Sequence, residues 1–200
     1  MRDQGSVVYL VRHGQTAWSL SGQHTGRADI ALTSQGESEA GRVGRRLAPH
    51  PFAHVLASPL RRARQTAELA GFGNRVELVG DLMEFDYGDY EGLTADEIRG
   101  RAPGWDIYRD GCPGGESVAE VVTRADRMVE RLHALEGGDT LVFAHKHFLQ
   151  FLATRWIRLP GEAARHLVLD TASVSILGYH HAPGNTVLRL WNDIHHLDSP

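Results

Sequence analysis

The feature that most constrains this chain is an apolar run, Val7-Val8-Tyr9-Leu10-Val11, that stops at Arg12-His13-Gly14. Five β-favouring or aliphatic residues in succession are the pattern of a strand buried on both faces, as in a parallel sheet packed between helices. Arg12 and His13 then fall at its carboxyl end, where open parallel sheets bind ligands. A cation and an imidazole there point to an anion site, and Gly14 would let the backbone turn tightly and approach a ligand. A lone histidine after a strand is usually a hydrogen-bonded loop residue, so this reading depends on what the rest of the chain brings to the same edge.

The pattern of a buried strand followed by a polar cluster recurs. His54-Val55-Leu56-Ala57 leads to Ser58-Pro59, a capping residue and a proline suited to a first helical position, and then to a helix from Leu60 to Ala70. That helix opens with Arg61, Arg62 and Arg64, where the helix dipole disfavours cations, so an arginine turned toward an anion would account for them. Thr140-Leu141-Val142-Phe143-Ala144 leads to His145-Lys146-His147, with a helix from Phe148 to Arg158. Val76 to Val79 forms a third short strand pointing toward Glu84.

Between these strands, Ser34 and Glu37 are spaced as a capping box for a helix to Ala48. Ser117 and Glu120 repeat that spacing ahead of an apolar stripe at three- and four-residue intervals, which predicts a helix ending before Gly137-Gly138. The polar stretch Ser19 to Asp29, with Gly22, Thr25 and Gly26, reads as a loop able to offer backbone N–H groups. The acidic, aromatic and glycine-punctuated segment at about 81–115 reads as an irregular excursion forming a pocket rim. Ser173 to Tyr179 and Thr186 to Trp191 predict an antiparallel pair joined by a turn at Pro183-Gly184-Asn185, and His195-His196 reads as an exposed, inert tail.

Strand-helix alternation predicts an α/β fold: a three-layer α/β/α sandwich around a mostly parallel sheet, with one antiparallel edge strand, in a single domain over residues 1–200. The net charge of -4 gives no global attraction to nucleic acid or an anionic membrane. No apolar run approaches the ~20 residues needed to cross a bilayer. Residues 1–5 carry no signal-peptide pattern, which leads to an expectation of a cytoplasmic protein. Cys112 is the only cysteine, so no intrachain disulfide forms and no thiol pair holds a metal. A metallohydrolase built on His145, His147, His180 and His181 lacks any HExxH or comparable spacing.

Together the residues resemble the histidine phosphatase superfamily, the phosphoglycerate mutase-like family. Arg12-His13-Gly14 extends to Thr16 and Trp18 in its RHGxTxW pattern. Thr25-Gly26, Leu32-Thr33 with Gly36, Ser58-Pro59-Leu60-Arg61-Arg62, and Glu84 with Tyr87-Gly88 and Glu91-Gly92 are similar to its later motifs. The resemblance implies that His13 is a nucleophile that becomes phosphohistidine and that Arg12, Arg62 and His145 clamp the phosphoryl oxygens. Glu84 would then protonate the leaving oxygen and activate water. It further implies substrate contacts from Gln15, Ser19, Thr25, Gly26 and Tyr87, no metal or other cofactor, and small phosphate esters as substrates; Lys146, which departs from the family pattern, is a further candidate for substrate binding. A homodimer is compatible with it.

Where the family has His-Gly, this chain has His145-Lys146. Either Lys146 adds a cation to the pocket, or its side chain points away with the backbone unchanged. The modest insertion and the short stretch after Trp191 favour hydrolysis over the mutase reaction, and the motifs around Glu84 are similar to those of broad acid phosphatases and a sugar bisphosphatase. Phosphoglycerate mutase-type transfer and a non-catalytic phospholigand-binding protein are the alternatives.

Overall fold

The computed structural model describes residues 6–181 and 184–198. In chain order its elements are β1 (Val8–Arg12), α1 (Ala17–Ser21), α2 (Ser34–Leu47), β2 (His54–Ala57), α3 (Arg61–Leu69), β3 (Val76–Leu78), α4 (Ala95–Arg101), α5 (Ile107–Asp110), α6 (Val118–Ala134), β4 (Thr140–Ala144), α7 (Lys146–Trp156), β5 (Val174–Tyr179) and β6 (Thr186–Asp193). The six strands form one sheet in the order β3-β2-β4-β1-β5-β6. β3, β2, β4 and β1 are mutually parallel, while β5 is antiparallel to both β1 and β6. The reversed strand is therefore next to the edge, and β6 at the edge points the same way as β1.

Side-chain alternation along the strands sorts the core into two layers. Val8, Leu10, Leu56, Val142 and Ala144 pack with Val121, Ala125, Met128 and Leu132 of α6 and with Phe148, Phe151 and Leu152 of α7. Val11, Val55, Ala57, Leu141 and Phe143 point the other way, onto Val43 and Leu47 of α2 and Ala67 of α3. Each central strand is thus covered on both faces, which is why its sequence reads as an unbroken apolar run. Among the described residues no helix is long and apolar enough to cross a membrane.

Several local expectations are corrected. The cap of α2 is Thr33, whose hydroxyl accepts from Gly36 N, and not Ser34. The cap position of α3 is Leu60, with no side-chain bond, so Pro59 precedes the helix instead of starting it. α1 occupies part of the predicted polar loop; Thr16 and Ser19 cap it reciprocally, and Gly22 at φ +80° ends it. His196 is half-buried, with Nδ1 at 2.9 Å from Arg46 Nη1 and Nε2 at 3.0 Å from the Ala172 carbonyl, instead of lying in an inert tail. Residues 1–5 and Pro183, on which two expectations rested, lie outside the described residues.

Candidate active site

The parallel register places three strand ends side by side. His13 N donates to the Ala144 carbonyl at 3.0 Å, and Ser58 N donates to the Phe143 carbonyl at 2.9 Å. In front of this rim lies a cleft of about 490 Å³. Of the residues singled out in the sequence, Arg12, His13, Ser19, Thr25, Glu84, Tyr87 and Lys146 line it. Arg62 and His145 do not line it but contact residues that do: Arg62 Nη2 donates to the Thr25 carbonyl, and the His145 ring centre lies 5.2 Å from that of His13. Gln15 and Gly26 do not line it. The Gln15 side-chain carbonyl accepts from Thr33 Oγ1 at 2.9 Å, which turns it toward α2. Gly26 instead shapes the loop: a Cβ there would lie 2.6 Å from Glu91 Oε2 and 2.7 Å from the Phe85 carbonyl.

His13 is 4% exposed. Its Nδ1–H donates to its neighbour Gly14's carbonyl at 2.8 Å, which leaves the lone pair on Nε2. Burial, reinforced by the Arg62 and Arg12 guanidiniums, holds its pKa well below the ordinary imidazole value, so the ring is a neutral nucleophile. Gly14 serves a different contact from the one expected. A Cβ at Gly14 would meet the Gly36 carbonyl oxygen at 2.5 Å, so the glycine is required for packing against α2.

Arg12 Nη1 donates to the Leu169 carbonyl at 2.6 Å, while its Nε is buried and has no hydrogen-bond partner among the described residues. A buried donor left over beside a nucleophile fits an anionic ligand. Arg62, fully buried, donates from Nε to His145 Nδ1 at 3.1 Å, from Nη1 to the Ala28 carbonyl at 2.9 Å, and from Nη2 to the Thr25 and Gly26 carbonyls at 2.8 and 2.9 Å. His145 is neutral for the same reason as His13, with burial the largest cause. Its remaining N–H, on Nε2, donates to Ser58 Oγ at 2.7 Å. Ser58, read from the sequence as a helix cap, is therefore the partner that orients His145.

Glu84 reaches the cleft from the segment after β3. Its Oε1 accepts from Phe85 N and Phe148 N, both at 2.9 Å, and Oε2 accepts from His147 N at 3.2 Å. The carboxylate thus caps α7 from another part of the chain, since the His145 side chain at the cap position makes no capping bond to the helix. This external cap starts the helix at Lys146, two residues before the expected Phe148.

Arg124 on α6, unremarked in the sequence, holds the Glu84 segment in place. It donates to the carbonyls of Asp81, Met83 and Glu84 and pairs with Glu116 at 2.7 Å, its guanidinium 4.5 Å from the Phe148 ring centre. Its only sequence signal is a charge on the apolar face of a regular helix.

The excursion supplies an aromatic wall. Tyr87 Oη lies 2.5 Å from His147 Nδ1, His24 stacks on His147 at 6.1 Å, and Trp105 and Tyr108 complete the lining. Burial lowers His147 and raises Tyr87, so both stay neutral. Lys146 is among the residues that line the same cleft. His180 and His181 follow β5 and do not line the cleft, so the four histidines considered for a metal site are not together.

The family model described as histidine phosphatase superfamily (branch 1) matches residues 8–194. An acid phosphatase of Mycobacterium tuberculosis is 42% identical over 177 residues, 87% of this chain and 87% of its own. A sedoheptulose 1,7-bisphosphatase of Saccharomyces cerevisiae is 38% identical over 181 residues, 75% of this chain and 67% of its own. A solved structure of a functionally characterised Mycobacterium tuberculosis protein superposes with a TM-score of 0.88 at 40% identity, covering 94% of this chain and 97% of the other.

Proposed function

Because the chain belongs to the histidine phosphatase superfamily, branch 1, and is a phosphatase, we propose that it hydrolyses phosphomonoesters of small phosphorylated metabolites, sugar phosphates among them, through a phosphohistidine on His13. The observation that carries this reading is the state of His13: neutral, with its proton fixed on Nδ1, its free Nε2 in a cleft shared with Arg12 and Glu84.

In the first step His13 Nε2 forms a bond to phosphorus and the ester P–O bond breaks, with Glu84 giving a proton to the leaving oxygen. In the second, water attacks the phosphohistidine, its proton passes to the Glu84 carboxylate, and the N–P bond breaks to release phosphate. Arg12 remains charged throughout and compensates the equatorial oxygens. Arg62 holds both the loop at residues 25–28 and His145, so its charge and its positioning act together.

The test is rapid quench of the wild type with phenyl phosphate, which should trap acid-labile phosphate on His13, together with His13→Ala, which should abolish turnover. Full activity in that variant would overturn the reading. A parallel assay for phosphoryl transfer between phosphoglycerates distinguishes a hydrolase from a mutase.

A further inference from the structure

The cations that line the cleft differ in what holds them. Arg12 is tied to the Leu169 carbonyl, Arg99 pairs with Asp96 at 2.8 Å, and Arg165 pairs with Asp106 at 3.1 Å. The Lys146 side chain, among the described residues, has no hydrogen bond or ion pair, although the residue lines the same cleft and is half-buried. An ammonium drawn partly out of water with no partner is unfavourable. Its position at the first residue of α7 adds to the cost, because a cation there opposes the helix dipole. Burial and the nearby Arg12 both lower its pKa, while Glu84 and Asp170 favour its charge.

The surroundings say which part of a ligand it would meet. Glu84, which must face the leaving oxygen, is bonded to the backbone of His147, the residue after Lys146. His147 also stacks on His24, so the residue next to Lys146 joins Glu84 to the aromatic wall. Lys146 therefore adjoins the side of the cleft formed by Glu84 and the aromatic wall, and the cleft's volume of about 490 Å³ is within the range of small-metabolite sites.

We infer that Lys146 is a specificity-determining residue that forms a second anion subsite, selecting phosphomonoesters whose leaving group carries another anionic group, either a carboxylate or a second phosphate. The inference rests on the phosphatase reading above.

The test compares kcat/KM for phenyl phosphate, 2-phosphoglycolate and fructose 1,6-bisphosphate in the wild type, Lys146→Gln and Lys146→Arg. In Lys146→Gln the preference for a doubly anionic substrate over phenyl phosphate should fall by about tenfold or more, through a rise in KM, and Lys146→Arg should keep most of it. A fall confined to phosphoglycolate identifies a carboxylate subsite, and one confined to the bisphosphate a phosphate subsite. An unchanged preference, or an equal loss on all three substrates, overturns the inference. If the wild type hydrolyses none of them, the phosphatase reading fails on its own. Calorimetric affinities of the same compounds for wild type and Lys146→Gln then decide the subsite without turnover, equal affinity ratios for the two proteins overturning it.

Discussion

Arg62 Nε donates to His145 Nδ1 at 3.1 Å, and this contact decides which nitrogen of the second histidine carries the proton. With Nδ1 committed as an acceptor, the N–H must sit on Nε2, where Ser58 Oγ receives it at 2.7 Å. The same guanidinium supports three loop carbonyls, so charge, tautomer and loop shape depend on one side chain.

Replacing Arg62 with lysine keeps the charge but loses the planar fork, leaving the buried carbonyl of Gly26 and the part-buried carbonyls of Thr25 and Ala28 without their donor. Arg62→Lys should lower kcat by about a hundredfold and stability by about 2–3 kcal/mol. Steady-state kinetics and thermal melts check the two effects, and a variant with wild-type values in both would contradict them.

Glu84→Gln removes the proton donor while its side-chain carbonyl can still accept an N–H at the start of α7. The expected result is a kcat lower by about 10²–10⁴-fold with little change in melting temperature. An ester with a good leaving group needs less help in the first step, so phosphohistidine should accumulate in this variant, visible as a burst of released alcohol.

Arg124 acts through Glu84, not on substrate. Arg124→Gln should reduce kcat by about tenfold while leaving KM nearly constant, because the cations of the cleft stay in place. In a cycle with Glu84→Gln the two losses should not add. Full additivity would show that Arg124 has a separate effect.

Depression of the His13 pKa, chiefly by burial and then by Arg62 and Arg12, keeps Nε2 available as the medium becomes acidic. With allowance for the substrate's own second ionisation near about pH 6, kcat/KM should stay level as pH falls past about 6.5 and decline only well below it. Stability responds in the opposite sense. His13, His145 and His147 are all held below the ordinary value in the folded chain, so between those values and about 6.5 the unfolded chain binds more protons. Their contribution is complete above about pH 6.5 and is lost as pH falls toward the folded values. Melting temperatures in phosphate-free buffer should drop over that interval, and His147→Gln should make the drop shallower.

Much of the fold was legible because its signals are local. β2 and β4 follow the apolar runs at His54–Ala57 and Thr140–Ala144, and Ser117 with Glu120 marks the start of α6. The register that juxtaposes His13, Ser58 and His145 follows from parallel strands ending in polar clusters. What escaped depends on contacts across the chain. The start of α7 is set by a carboxylate 62 residues before Lys146, Ser58 turns to His145 instead of capping a helix, and Arg124 looks like any helical arginine until its carbonyl partners are in place. Gln15 shows the converse: it adjoins the Arg12-His13-Gly14 run, yet its side chain serves Thr33.

The close approach of Gly14 and Gly36 also limits how this sequence can diverge. A Cβ at Gly36 would stand 2.1 Å from the Gln15 carbonyl oxygen, and one at Gly14 would stand 2.5 Å from that of Gly36. Each clash is with main chain, so no rotamer change relieves it; a substitution at either position must displace the whole of α2 or the loop that carries the nucleophile. Residues around the cleft can drift one at a time toward new leaving groups, whereas this pair has no single-step route to change. The lining of the cleft is free to evolve, while the placement of His13 is locked by a joint that lies outside that lining.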